Sequence, residues 1–205
     1  MKSKGFTFLE TLVVIGIFSL IFPLVLSILF VIMQQQLRVF SLTEVKRQGD
    51  YIVNFLETTI ANNAYKMYDT GPSDPSPHEV CEAGSVNSYP HEGSPITFKD
   101  KFNNEFSLIY SEPDLTITYP PSLDPAPPFT FPQGLLNNSK VRIANFSVAC
   151  TKLAPYSAPL VKIDFTICYN NGGSCDGGDT QRTVSLDYQS TIKLRTFPTE
   201  EEQIP

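Results

Sequence analysis

The chain has 205 residues and a net charge of −6, from 15 basic and 21 acidic side chains. The basic residues are scattered and form no stripe that could follow a phosphate backbone, so we expect no nucleic acid binding by this chain alone. Beyond an apolar start, about 170 residues remain, which suits one compact domain with its own core.

The first element is an apolar segment from Phe6 to Met33 that contains one charged residue, Glu10. As a helix rising ~1.5 Å per residue, it would measure about 40 Å, enough to cross a bilayer. It is about twice as long as the apolar region of a cleavable secretory signal. Lys2 and Lys4 precede it, so the positive-inside bias predicts a cytoplasmic N-terminus and a C-terminal domain outside.

Two features distinguish this segment from a generic single-span anchor. Glu10 lies in an apolar run, where a central charge costs roughly 2.5–3.5 kcal/mol, so its carboxylate needs a cationic partner. The short basic leader MKSKG ends in Gly5, directly before the sequence FTFLE. With these residues, positions 1–30 closely resemble the type IV prepilins and the type II secretion pseudopilins.

The resemblance implies a processing step and a docking step. In that family a membrane peptidase cleaves after the glycine and methylates the new amino terminus, which implies cleavage between Gly5 and Phe6 and N-methylation of Phe6. It also implies that Glu10 attracts the amino terminus of a neighbouring subunit. Pro23 removes a backbone hydrogen bond and is expected to kink or loosen the span. The family's major pilins carry this proline about one turn later, where Ser27 stands here.

Beyond Met33 the helix is predicted to continue as an amphipathic segment, residues 34–68. Its apolar stripe consists of Leu37, Phe40, Val45, Ile52, Phe55, Leu56 and Ile60. Gly49 weakens this helix by about 1 kcal/mol relative to alanine. Gly71-Pro72 is the first firm stop, so we expect the helix to end between Asn63 and Tyr68.

Residues 69–205 are predicted to form an exported, β-rich domain. Residues 69–95 lack a hydrophobic period and indicate an irregular connection, and the proline-rich stretch 119–134 indicates a stiff connector. The predicted strands are 96–98, 105–110, 115–119, 141–150, 161–169 and 183–197, with Asn103-Asn104 as a hairpin turn between the first two. The long helix would cover one face of this antiparallel sheet, giving a two-layer α+β fold.

Two later segments carry a second, weaker resemblance. PLVKIDFTICY and YQSTIKLRTF are similar to the closing strands of minor pseudopilins of the J type and of related minor pilins. This resemblance implies a low-copy subunit of a pilin-like fold rather than a major one.

The four cysteines are Cys81, Cys150, Cys168 and Cys175. They lack the paired spacing of a zinc site, and an even set in an exported domain predicts disulfides. Cys168 has the outward parity of Lys162 and lies close in sequence to Cys175, so these two are expected to pair. Cys150 has the inward parity of Phe146, which leaves Cys81 as its partner. Four cysteines allow three connectivities, and free buried thiols are the alternative.

Other motifs are weaker. The loop NNGGSCDGGDT offers Asp176 and Asp179 as oxygen ligands for calcium, but it lacks the EF-hand spacing and its glycines alone explain a turn. Two glycosylation sequons begin at Asn137 and Asn145. No G-x-S-x-G, phosphate loop or H-E-x-x-H motif occurs, so we expect no enzyme activity and no cofactor.

The sequence therefore favours a minor pilin or pseudopilin, made as a single-pass precursor in a bacterial inner membrane and built into a type IV pilus or a type II secretion pseudopilus. The expected partners are other pilin or pseudopilin subunits, the prepilin peptidase, the inner-membrane assembly platform and the lipid bilayer. The alternative is a permanently membrane-anchored extracytoplasmic binding protein whose N-terminus is never cut.

Overall fold

The structure, a computed structural model, describes residues 7–69, 78–81, 86–89, 93–120, 129–154, 156–170, 175 and 184–195. Gly5 and Phe6, and likewise Asp176 and Asp179, lie outside these residues. The chain divides into two compact units, residues 1–41 and residues 42–205. The fold is α+β, with one long apolar N-terminal helix and two antiparallel sheets.

Helix α1 runs from Phe8 to Asn63 and is continuous through Pro23. The helix ends at Asn63, the first residue of the range predicted for its end. The expectation that the helix continues to residue 68 was wrong, because Lys66–Asp69 forms a strand that pairs with Pro95–Lys99. Backbone hydrogen bonding in a sheet replaces helical bonding at this point.

The described residues contain ten strands. They are β1 Lys66–Asp69, β2 His78–Glu79, β3 Val86–Tyr89, β4 Pro95–Lys99, β5 Glu105–Ser111, β6 Asp114–Thr118, β7 Gly134–Leu135, β8 Val141–Thr151, β9 Leu160–Tyr169 and β10 Ser185–Lys193. The first sheet has the order β2-β1-β4-β5-β6-β7, and the second has the order β10-β9-β8-β3.

The predicted strands agree with the structure where only one face of the strand is buried. β4, β5 and β6 form the predicted meander, and Asn103 adopts the positive φ of 64° that a tight turn requires. In β9, Ile163, Phe165 and Ile167 are buried as predicted. The irregular connection predicted over residues 69–95 was wrong in part, because β2 and β3 lie within it.

The core is one cluster shared by the helix and both sheets, rather than a helix laid on a single sheet as predicted. From α1, the stripe residues Val45, Ile52, Leu56 and Ile60 are all buried. Each such side chain contributes roughly 1.5–3 kcal/mol when fully buried. The earlier stripe residues Leu37 and Phe40 are exposed, so only the second part of the predicted stripe is a core face.

The proline-rich connector supplies part of this core. Phe129 is buried, and its ring meets Phe106 of β5 edge to face at a centroid distance of 5.3 Å. Phe131 stacks on Phe129 at 5.0 Å and contacts Phe55 of α1 edge to face at 6.2 Å. The described end of the connector, residues 129–134, is therefore held against the core by aromatic contacts.

Two disulfides link Cys81 to Cys150 and Cys168 to Cys175, with Cα atoms 5.2 Å and 5.6 Å apart. This is the pairing that the sequence predicted. Cys168 has the outward parity of its strand but is buried. Cys81 lies just after β2 of the first sheet, and Cys150 lies in β8 of the second sheet. The Cys81–Cys150 disulfide therefore connects the two sheets.

Candidate functional site

The start of α1 is a hydrogen-bonded turn built by Thr7 and Glu10. The backbone N–H of Thr7 donates to Glu10 Oε2 at 2.9 Å, and the Thr7 hydroxyl donates to the same oxygen at 3.0 Å. The backbone N–H of Glu10 lies 3.4 Å from Thr7 Oγ1. This is a capping box, in which threonine and glutamate three positions apart satisfy the free N–H groups at a helix start.

Glu10 is thereby held beside the first turn of the helix. Its carboxylate lies at the positive end of the helix dipole, which favours a negative charge there. Within the described part of the chain, no hydrogen bond to Oε1 of Glu10 is formed. One carboxylate oxygen therefore has its donors in Thr7, and the other has no donor among the described residues.

The helix that follows is apolar on every side. Its side chains from Phe8 to Met33 are exposed, and the helix is long and apolar enough to span a membrane. The hydroxyls of Thr11 and Ser19 donate to the carbonyls of Phe8 and Gly16 at 2.7 Å and 2.8 Å. These polar atoms are satisfied within the helix itself, as a hydrocarbon environment requires.

A second acidic residue, Glu44, lies where α1 enters the folded domain. The residue is only 8% exposed. Glu44 accepts hydrogen bonds from Arg47 at 2.8 Å and from Asn138 Nδ2 at 2.9 Å. These two donors, Arg47 first, hold the pKa of Glu44 below its usual value. The contact joins the helix to the chain ahead of β8, and sequence reasoning missed it, although an acid beside the core residue Val45 was a signal.

Asn137, the neighbour of Asn138, is a buried hydrogen-bonding centre at 4% exposure. Its Oδ1 accepts from the backbone N–H of Leu115 at 2.9 Å. Its Nδ2 donates to Asp114 Oδ1 at 3.1 Å and lies 3.3 Å from the carbonyl of Val141. The first sequon therefore begins at a structural residue, whereas Asn145 of the second sequon is exposed.

Side chains of β10, and of Arg195 just after it, form hydrogen bonds with α1. The Tyr188 hydroxyl lies 3.0 Å from Asp50 Oδ1, the Ser190 hydroxyl donates to Glu57, and Arg195 Nε donates to the carbonyl of Ala61 at 3.1 Å. Burial, and then the hydrogen bond to Asp50, raise the pKa of Tyr188 to about 12. Arg195 also supplies the basic group that the last turn of α1 lacks in its own sequence.

In the part of the chain that the structure describes, no cluster of three or more His, Cys, Asp or Glu side chains could hold a metal ion. No protein-family model, no curated protein and no solved structure matches the chain. The function is therefore argued from the helix start, the apolar segment and the folded domain themselves.

Proposed function

We propose that this chain is a minor pilin or pseudopilin, a structural subunit of a type IV pilus or a type II secretion pseudopilus. The observation that carries the proposal is Glu10, the one charged side chain between Phe8 and Met33, held at the first turn of an otherwise apolar helix. It follows a basic leader that ends in Gly5.

The energetics of Glu10 support an intermolecular role. A carboxylate in hydrocarbon is costly and persists when it has a partner. The capping box with Thr7 supplies hydrogen bonds but no positive charge. Cleavage after Gly5 would create an α-amino group on Phe6, and the same group on a neighbouring subunit could pair with Glu10. The pairing would offset part of the burial cost and fix the register of subunits rather than add much stability.

The folded domain supports export from the cytoplasm. Disulfides persist in oxidising compartments, and the domain has two of them, Cys81–Cys150 and Cys168–Cys175. The positive-inside bias of Lys2 and Lys4 agrees with this orientation. In the proposed mechanism the span stores the subunit in the inner membrane with its N-terminus in the cytoplasm, and the same helix later packs in a filament core through an inner-membrane assembly platform.

The decisive experiment is the mass and N-terminal sequence of the chain recovered from membranes of cells with an active prepilin peptidase. We expect a chain that begins at a methylated Phe6. A chain that still begins at Met1 would contradict the proposal and would favour a permanently anchored extracytoplasmic binding protein.

A pair of leader variants sharpens the test. Gly5→Leu is expected to block processing, because a side chain at this position would hinder entry of the extended backbone into the peptidase. Ser3→Leu makes a similar change two residues earlier and is expected to leave processing intact. Equal processing of both variants would refute the assigned cleavage site.

A further inference from the structure

Strand β8 has a bulge at Asn145. Its pairing with β9 changes register between Ala144 and Ser147, because β8 holds one more residue there than β9 does. A bulge of this kind takes the extra residue out of the ladder. Asn145 has a φ of 53°, a left-handed conformation that asparagine adopts more easily than most residues. The local backbone therefore sets Asn145 apart from the rest of the strand.

The bulge changes which residues of β8 face the core. Ahead of it the odd-numbered Val141 and Ile143 are buried, and beyond it the even-numbered Phe146 and Val148 are buried. Side chains of a strand alternate between its two faces, so both sets can be buried only if one extra residue lies between them. Asn145 takes that place and is exposed. A bulky group on its side chain would therefore extend into solvent.

The side-chain amide of Asn145 has no hydrogen-bond partner in the part of the chain that the structure describes. The two β9 residues that pair on either side of the bulge are engaged elsewhere. The Thr166 hydroxyl donates to Asp187 Oδ1 at 2.7 Å, and Asp164 Oδ2 lies 3.0 Å from Lys162 Nζ. The amide nitrogen Nδ2 of Asn145 is thus not held by the surface around it.

Asn145 begins the sequence Asn-Phe-Ser, the acceptor pattern for N-linked glycosylation. Two other asparagines show what distinguishes it. Asn137 begins the other sequon but is 4% exposed, and its Nδ2 donates to Asp114 Oδ1 at 3.1 Å. Asn54 is exposed and is also followed by phenylalanine, but Leu56 stands where the sequon requires serine or threonine. Of these three asparagines, only Asn145 combines the sequon with an exposed and unengaged amide.

We propose that Asn145 is a modification site, the acceptor of an N-linked glycan supplied by a lipid-diphosphate-linked sugar. In this reaction Nδ2 forms a bond to C1 of the sugar while the bond from C1 to the phosphate oxygen breaks. The lipid diphosphate leaves with the bonding electrons, and the amide gives one proton to a base of the transferase. The hydroxyl of Ser147 identifies the acceptor to that enzyme. The proposal requires export of the domain and does not depend on filament assembly.

The folded sheet withholds this sequon from a transferase, which sets the timing of the reaction. Phe146 is 3% exposed, with its ring 5.6 Å from that of Tyr110, and Ser147 lies in the ladder with β9. Because the enzyme must bind all three sequon residues, the transfer precedes the pairing of β8 with β9. Asn137 is accessible at that stage too, but a sugar on its Nδ2 would prevent its burial. The folded chain should therefore carry the glycan at Asn145 alone.

The test is the mass of tryptic peptides of the chain recovered from membranes of its own cells. Cleavage after Arg142 and Lys152 isolates residues 143–152, which contain Asn145 but not Asn137. We expect this peptide to carry at least one sugar residue, and the peptides that hold Asn137 and Asn54 to carry none. Enzymatic release of an N-linked glycan converts Asn145 to aspartate, whereas removal of a glycan O-linked to the serine of the sequon leaves the asparagine unchanged.

Three variants check the acceptor. Asn145→Gln and Ser147→Ala should each abolish the mass increase, while the matched control Asn54→Gln should retain it in full. Once the glycan has been removed from the original chain, Asn145→Gln should share its urea midpoint, because the altered side chain is exposed. An unmodified peptide 143–152, a glycan on Ser147, or a glycan on Asn137 of the folded chain would each overturn the proposal.

Discussion

Tyr188 occupies the space that a side chain at Gly49 would need. A Cβ atom built on Gly49 would overlap Cε2 and Cζ of the Tyr188 ring. The ring cannot retreat freely, because it stacks on Phe165 at a centroid distance of 5.4 Å and its hydroxyl lies 3.0 Å from Asp50 Oδ1. The glycine thus permits the close approach of β10 to α1, which explains a residue of low helix propensity in this helix.

Gly49→Ala is therefore expected to destabilise the folded domain, although alanine is the better helix former. Overpacking in a filled site costs about 1–3 kcal/mol, and the gain in helix propensity of about 1 kcal/mol returns only part of that. Urea unfolding of the full chain in micelles measures the change. In the background of Tyr188→Leu the same substitution should cost less, and an equal cost in both backgrounds would contradict this explanation.

Glu44 gives the stability of the domain a predictable dependence on pH. Its folded pKa is depressed by Arg47 and Asn138, so its contribution is fully present above the unfolded pKa of about 4.3 and is lost as the pH falls through the folded pKa. Between about pH 6 and about pH 3, the urea midpoint of the original chain should fall more steeply than that of Glu44→Gln. Asn138→Ala, which leaves Arg47 in place, should give an intermediate slope. Parallel curves for the original chain and Glu44→Gln would count against the assignment.

Asn137→Ala is expected to lower the free energy of unfolding by about 1–3 kcal/mol, because it leaves the buried N–H of Leu115 without its acceptor. Asn54→Ala, on the exposed face of α1, is the control. That side chain donates only to the carbonyl of Asp50, and changes at such surface sites usually stay within about 0.5 kcal/mol. Similar urea midpoints for the two variants would show that Asn137 does not hold β6 in place.

The two disulfides should differ in their contribution to stability. Cys81–Cys150 closes a loop with a sequence separation of 69, and Cys168–Cys175 one with a separation of 7. The chain-entropy relation gives about 4 kcal/mol for the longer loop and about 2 kcal/mol for the shorter one. Replacing each pair with serines and measuring chemical unfolding tests the order. A larger loss from the Cys168/Cys175 double variant would rule out loop entropy as the main cause.

Glu10 and its capping partner can be separated by mutation. Glu10→Gln keeps groups that can bond to Thr7 but removes the charge, and it should leave membrane insertion intact while reducing filament incorporation. Loss of 1.4 kcal/mol of pairing would reduce incorporation about tenfold. The ratio of the chain in sheared filaments to that in membranes measures the effect. Thr7→Val, which removes only the hydroxyl, should be milder, and full incorporation of Glu10→Gln would exclude a docking role for the charge.

The sequence predicted the elements whose burial pattern is local. The alternation of Ile163, Phe165 and Ile167 marks one face of β9, and Asn103 marks the turn before β5, because period and turn chemistry are properties of neighbouring residues. β1 was missed because it is four residues long and is held by pairing with β4 rather than by its own pattern.

The contacts between the helix and the rest of the domain could not be predicted from the sequence, because they join residues that are far apart in the chain. Nothing in the sequence around Gly49 indicates that the Tyr188 ring packs against it. Asp50 and Tyr188 are 138 positions apart. Glu44 has the composition of a solvent-facing residue and is buried only because Arg47 and Asn138 satisfy its carboxylate. At the helix start, Glu10 was expected to act toward a neighbouring subunit, and its bond to Thr7 was not anticipated.

The contacts between α1 and the β10 region also set an order of events during synthesis. The contacts of Tyr188, Ser190 and Arg195 with the helix span 133 to 142 positions of sequence. A ribosome makes the chain from its N-terminus, so the helix is made first and these partners are made last. The core face of the helix therefore lacks these contacts until nearly the whole chain has been made.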